Sequence, residues 1–421
     1  NIPLSSAQEV VDFYRADLRY AFQHLPAEYE NENVGRVTKG AASAFLGKSF
    51  LYQGEYDSAI LRFEDVINNA EYGYRLVDDP SLMFSAAGEH NRESIYEINY
   101  GDNDLYYPER NNFDDENFYN RWDWMCLAGR GIKVPAWLAY AYRTEVIDTT
   151  DFRNTLYREV DLPDPDGDED EFDTVIDTVQ RTVSMRASSM VTLVEDDLVP
   201  YFINGAAAHN GRFTWDGWGF SQFKKYSNWD VDTGSEDGLN NSTKNVTVLR
   251  LAEVYLMLAE CYIQVGNTQQ ALSMVNANRA RWGLRQLGID NNVSGPMFDG
   301  YNYLADPDSL MNFIMFHEKP LELSMEGFAV RPIDFRRWNV GKQVFNRLAN
   351  STFYMADHSY RLWRSRELSV NTASSVVVDP ALSGGPVIDF EYDLAAEGYD
   401  PTVHSWFPIP LQEVIVNNKI D

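Results

Sequence analysis

Residues 46 to 63, LGKSFLYQGEYDSAILRF, and residues 258 to 275, LAECYIQVGNTQQALSMV, share one hydrophobic pattern. Leu46, Gly47, Phe50, Gly54, Ala59 and Phe63 match Leu258, Ala259, Tyr262, Gly266, Ala271 and Val275, at a constant offset of 212 residues. The apolar period is that of a helix. The small residues mark where two helices approach closely, and each Gly ends the first helix of its pair. Each segment therefore predicts two antiparallel helices joined by a short turn.

This is the tetratricopeptide pattern, in which each helical pair leaves an apolar face for its neighbours to cover. Residues 7 to 26, AQEVVDFYRADLRYAFQHLP, supply a further helix. Val10, Val11, Phe13, Leu18, Ala21, Phe22 and Leu25 fall at helical spacing there, ahead of Pro26. Residues 309 to 328, SLMNFIMFHEKPLELSMEGF, form another helical stretch. Between the two repeats the pattern changes. RESIYEINY, residues 92 to 100, alternates like a strand. After it come GDNDLYYPERNNFDDENFYNRWDWMCLAGRG and, later, NGRFTWDGWGFSQFKKYSNWDVDTG, loops rich in Asn, Asp, Gly and aromatics. Long loops inside a compact domain usually carry function. The predicted fold is mainly α: a tetratricopeptide-like helical scaffold carrying a large loop-rich insertion with a few short strands. As a single domain of 421 residues, it divides into scaffold at 1–99 and 240–350, insertion at 100–239, and a C-terminal loop-rich segment at 351–421 that packs on the scaffold.

Composition narrows the function. Hydrophobic residues make up 44% of the chain and aromatics 14%, as in globular proteins. The net charge of −29 argues against a nucleic-acid partner, which needs clustered Lys and Arg. No apolar run is long enough to span a bilayer. Cys126 and Cys261 are too few for a disulfide framework, and Cys261 reads as a core residue. The chain opens at Asn1 with no initiator Met, signal peptide or lipid-bearing Cys, the pattern of a processed or trimmed form.

Four stretches in order resemble the SusD/RagB family of Bacteroidetes. They are TKGAASAFLGKSFLYQGEYDSAI (38 to 60), VTVLRLAEVYLMLAECYIQVGNTQQALSMVNANRARWGL (246 to 284), HEKPLELSMEGFAVRPIDFRRWN (317 to 339) and WFPIPLQEVI (406 to 415). The resemblance implies a surface lipoprotein of the outer membrane that captures nutrients without catalysis. Such a protein acts as a hinged lid on a SusC-like TonB-dependent transporter barrel and is held to the membrane by an N-terminal lipid anchor outside this chain. Compared with the family's pattern, the chain is expected to open beyond the usual N-terminal stretch, either lost or absent from an unusual member. Two extra residues lie between Glu326 and Arg331, and NNKID replaces the family's usual closing run.

The aromatic loops are the candidate ligand site. Sugar C–H faces stack on indole and phenol rings while Asn, Asp and Arg take the hydroxyls. Tyr106, Tyr107, Asn120, Arg121, Trp122 and Trp124 lie in the first loop, and Trp215, Trp218 and Trp229 in the second. Trp137, on an apolar helix, is assigned to the core. Glu318, Glu322, Glu326, Arg331, Asp334, Arg336 and Arg337 resemble catalytic carboxylates with Arg clamps, yet at helical spacing they read better as ion pairs and caps. No cofactor is required. The acidic run at 161 to 177 places Asp166, Asp168, Asp170 and Asp177 at EF-hand offsets, but Glu171 stands where Gly is needed. A solvated acidic loop is the preferred account, with Ca2+ as the alternative. Recognised enzyme motifs are absent, and the six histidines are scattered singly. The leading expectation is oligosaccharide capture. The alternatives are a peptide ligand in the same role, a helical-repeat scaffold for protein partners, and a glycoside hydrolase.

Overall fold

The computed structural model describes residues 4–100, 132–161, 174–196, 201–203, 206–208, 220–227, 244–290, 294–326, 330–364, 367–382, 385–387, 389–404 and 411–416. The chain begins with α1 (Ala7–His24), α2 (Lys39–Tyr52) and α3 (Tyr56–Asn68). Ser6 opens α1 with a capping box closed by Glu9. Strand β1 (Ser94–Ile98) leads into the insertion. There α4 (Ala136–Arg143), the hairpin of β2 (Thr155–Asp161) and β3 (Thr174–Gln180), and α5 (Met185–Met190) follow. The short β4 (Tyr201–Ile203) and β5 (Ala206–Ala208) pair with each other. Strand β6 (Val246–Arg250) returns the chain to the scaffold, into α6 (Leu251–Gln264) and α7 (Thr268–Arg281).

The two sequence repeats become α2–α3 and α6–α7. They share one core in which Ala44, Ala59 and Phe63 meet Val254, Ala259 and Ala271, with α3 packed on α6. The reason for each small residue is visible. A Cβ on Gly47 would stand 2.6 Å from Cε1 of Phe63. Gly54 (φ +74°) and Gly266 (φ +80°) hold the left-handed conformation that turns the chain between paired helices. The flanking bonds repeat too: Glu55 N donates to Phe50 O (2.9 Å) and Asn267 N to Tyr262 O (2.7 Å). Across the pairs, Lys48 binds Glu253 at 2.7 Å and Tyr262 donates to Glu64 at 2.5 Å. Cys261 is buried in this core, and burial pushes its thiol up to about 12.

Helix α1 corrects its predicted face. Val10 and Phe13 are 51% and 71% exposed, whereas Val11 and Arg15 are buried. The inward stripe is set by Arg15, whose guanidinium lies 4.4 Å from the Phe50 ring centroid and bonds Ser49 and Glu55. A long side chain with an apolar stem and a satisfied head does the packing there.

The stretch from residue 307 is broken into α8 (Pro307–Phe313), a π turn (Ile314–Glu318) and α9 (Lys319–Glu322). Pro320 has no N–H to return to the preceding turn, and the wider π turn accommodates it. Arg331 takes up the Met315 carbonyl at 3.1 Å. Then follow α10 (Val330–Arg337), α11 (Gly341–Ala349), the long hairpin of β7 (Tyr354–Arg364) and β8 (Glu367–Val377), and β9 (Gly385–Pro386). Short helices α12 (Tyr392–Gly398), α13 (Pro401–His404) and α14 (Leu411–Val416) end the described chain. The insertion has a core of its own, in which Tyr142, Met185, Met190 and Phe223 gather around Trp282 from the end of α7. Arg143 donates to Val376 O at 3.0 Å, holding the base of the long hairpin against the insertion. Trp137 is half-buried between two clusters, and its indole N–H meets Tyr392 Oη at 3.2 Å.

Candidate ligand-binding face

Strands β1 and β6 pair antiparallel, with Ile98 opposite Val246. The chain leaving β1 toward residues 101–131 therefore departs beside the chain arriving from 228–243. Asn245 locks the junction: its Oδ1 accepts from Tyr100 N (3.0 Å), its Nδ2 donates to Glu97 (3.0 Å), and its own N–H reaches Glu89 (2.8 Å). The half-buried Glu89 carboxyl is raised by desolvation, with the Asn245 N–H opposing. Lys244 Nζ donates to Ser227 O, tying the two ends of the 228–243 segment together.

The remaining stem joins the same frame. Val191 bridges Phe223, Thr192 N donates to Gln222 O at 2.8 Å, and Lys224 and Lys225 N–H groups both reach Met190 O. The strap 220–227 thus links the end of residues 197–219 to the start of 228–243. Three segments that carry the aromatic candidates spring from one knot between α5, β1 and β6.

Beneath the knot lies a buried ionic cluster. Arg186, Lys225, Arg250, Arg279 and Arg281 face Glu93, Glu145, Glu318, Glu322 and Glu326. Five cations balance five carboxylates, so a neutral cluster sits inside a chain of net charge −29. Glu322 accepts from Arg250 Nη1 (2.7 Å), Arg281 Nη2, Trp282 Nε1 (2.8 Å) and Arg186 Nη1 (3.1 Å). Burial alone would raise this carboxyl; the guanidiniums of Arg281, Arg250 and Arg186 outweigh it and hold it well below the usual range. Lys225 shows the opposite balance. Desolvation lowers its ammonium to about 8 despite Glu326 beside it. Glu93, just before β1, binds Arg281 of α7; Arg186 of α5 binds Glu322 of α9; and Lys225 of the strap binds Ser324 O and Glu326 just after α9, so the cluster ties each stem to the α7–α9 region. The reading of Glu318, Glu322 and Glu326 as ion-paired holds, but their partners come from distant segments and not from helical neighbours. Arg337 keeps a local partner, Asp334 at 2.8 Å, and also binds Glu260. Asp334 also takes Lys319 at 2.8 Å.

A sequence profile of the SusD family matches residues 92–421. The chain belongs to the SusD family. The first of the four resembling stretches precedes the matched region, but its helical pair packs on the second repeat as described. SusD-like protein P25 of Formosa agariphila is 23% identical over 268 residues, which is 63% of this chain and 46% of that protein. The chain thus spans less than half the length of that relative. Two crystal structures of Bacteroides fragilis proteins share the fold. One, a SusD-like protein, has TM-score 0.59 and 20% identity, covering 100% of this chain and 71% of the other. The second, a SusD-like carbohydrate-binding protein, has TM-score 0.61 and 18% identity, covering 100% and 72%. A SusD homolog from Bacteroides thetaiotaomicron has TM-score 0.61 at 16% identity, covering 99% and 70%.

In this SusD-family chain, Tyr106, Tyr107, Asn120, Arg121, Trp122, Trp124, Trp215, Trp218 and Trp229 all lie outside the described residues. So do Asp166, Asp168 and Asp170, while Asp177 stands in β3 opposite Arg158. Among the described residues, no group of three or more His, Cys, Asp or Glu is placed to hold a metal ion. Sequence reasoning missed the frame itself: Asn245, Arg186, Arg250 and Lys225. A signal was present in VTVLRLAEVYLML, where Arg250 and Glu253 interrupt an otherwise apolar run and must find partners when buried.

Proposed function

We propose that the protein captures an oligosaccharide at the cell surface, without catalysis, and delivers it as a lid to a SusC-like TonB-dependent transporter. The observation that carries this reading is the convergence of three aromatic-bearing segments on one rigid frame in a SusD-family chain. Such a frame fixes where the three segments leave the scaffold, which limits the ordering cost of binding. A carbohydrate-binding relative with the same fold supports the ligand class. The lid role, outer-membrane location and lipid anchor rest on family membership. Among the described residues no helix is long and apolar enough to cross a membrane. The net charge of −29 favours basic peptides as the second reading.

Isothermal titration against matched panels of oligosaccharides and peptides tests both. Binding to a glycan, weakened by Trp122→Ala or Trp124→Ala, is the expected result. Binding confined to peptides selects the second reading, and silence on both panels from a folded protein sinks the proposal. Turnover of a bound sugar, abolished by one Asp or Glu substitution, would instead make the protein a glycoside hydrolase.

A further inference from the structure

A second cleft, of about 300 Å3, opens between the 27–38 segment, Tyr74 and strand β1. Its volume falls at the lower end of small-molecule sites. Three half-buried tyrosines, Tyr29, Tyr74 and Tyr96, line it. Two of them are fixed: Tyr74 Oη bonds Thr38 at 2.8 Å, and the Tyr96 ring sits edge-on to Phe45 with centroids 6.3 Å apart. Arg92 reaches across to Glu28 at 2.8 Å, both side chains half-exposed, so a planar donor and a planar acceptor stand together at the rim. Arg36 is exposed beside them and has no ion-pair partner among the described residues.

The cleft is built, not accidental. Gly35, at φ +91°, lets the 27–38 segment press against the strand; a Cβ there would stand 2.5 Å from Asn99 Nδ2 and 2.9 Å from His90 Cε1. His90 itself adopts φ +52° and turns toward Glu97 and Asn245. His90 and Glu97, which line the cleft, thus belong to the hydrogen-bonded group through which Asn245 anchors Tyr100.

The geometry points to a second carbohydrate site in this cleft, for a short saccharide, separate from the aromatic loops. Fixed phenol rings offer stacking surface for sugar C–H faces. The Arg92–Glu28 pair and Arg36 offer donors and acceptors to hydroxyls without burying a charge. An extended peptide is disfavoured because a cleft of about 300 Å3 holds only a short ligand.

Ligand-observed NMR titration with cellobiose, maltose and laminaribiose tests the site on the intact chain. At least one disaccharide should bind, and Tyr29→Ala and Arg36→Ala should each weaken it about tenfold or more. Tyr29 is half-buried and Arg36 exposed, and neither belongs to a core cluster, so their variants should melt close to the parent. Phe152→Ala, an exposed aromatic elsewhere, controls for unspecific ring contacts. Binding unaffected by both cleft variants, binding lost equally in Phe152→Ala, or no binding of any disaccharide at millimolar concentration overturns the site. A response only to a tripeptide panel also overturns it and makes the cleft a peptide site. Because the readout uses cleft substitutions, its failure leaves the Trp122 and Trp124 result for long glycans standing on its own.

Discussion

Glu322→Gln is the sharpest perturbation of the frame. The carboxylate is fully buried and receives hydrogen bonds from Arg186, Arg250, Arg281 and Trp282. Gln keeps the shape but removes the charge, and either orientation of its amide points an NH2 at a donor. The cluster changes from five cations against five carboxylates to five against four. Two unit charges with centres about 4 Å apart attract by about 4 kcal/mol at an effective dielectric of 20. Removing one partner of a buried pair costs about 3–5 kcal/mol. The relieved desolvation of Glu322 offsets its extra partners, so the net loss should be about 4 kcal/mol. That is a large fraction of the roughly 5–15 kcal/mol that holds a folded domain together. Urea unfolding followed by tryptophan fluorescence reads this as a lower midpoint at unchanged slope. Glu28→Gln, which breaks the half-exposed pair with Arg92, should cost under about 1 kcal/mol. A Glu322→Gln loss as small as that of Glu28→Gln would refute the argument that the cluster holds the frame.

Acid should act on the same carboxyls. Glu318, Glu322 and Asp334 titrate below their ordinary values when folded, held down by Arg and Lys partners against the opposing effect of burial. Their contribution is complete above the unfolded carboxyl values and is lost as pH falls from there through the folded ones. Melting midpoints should therefore be level from about pH 7 to 5 and drop steeply below about 4.5; a level profile to pH 3 would contradict the assignment. Gly47→Ala, whose Cβ meets Phe63 at 2.6 Å, should cost about 1–3 kcal/mol by overpacking. Gly54→Ala, with φ +74° and no atom within 4 Å, should cost about 1 kcal/mol through backbone strain alone. Equal and negligible changes in urea midpoint would dismiss both roles. Asn245→Ala releases Tyr100 N and Glu97, and should weaken glycan binding about tenfold at the loops it anchors while lowering stability by about 1–3 kcal/mol. Undiminished affinity in a titration would separate the frame from the ligand.

The two repeat units were legible in the chain because their information is local. Helical period, small residues at the crossing and a turn glycine all lie within 18 consecutive residues, and 46–63 and 258–275 folded as read. The strand at 92 to 100 and the family resemblance were equally readable. Helix α1 was read as a helix but given the wrong face, because periodicity alone does not reveal that Arg15 packs on Phe50 while Phe13 faces water. The ionic cluster shows the same boundary more deeply. Glu322 meets Arg250 and Arg281 only after β6, α7 and α9 pack, across separations of 72 and 41 residues. Charge pairing depends on distance in space, and no spacing rule along the chain encodes it. The sequence by itself determined the helical pairs of the two repeats and the first helix, and where aromatic residues cluster along the chain; α5, α10 to α14 and the long β7–β8 hairpin were not read from it. Only the tertiary structure decided that three loop stems meet at Asn245 and the Val191–Phe223 bridge, because antiparallel pairing of β1 with β6 places chain ends side by side that are 148 residues apart at Ile98 and Val246.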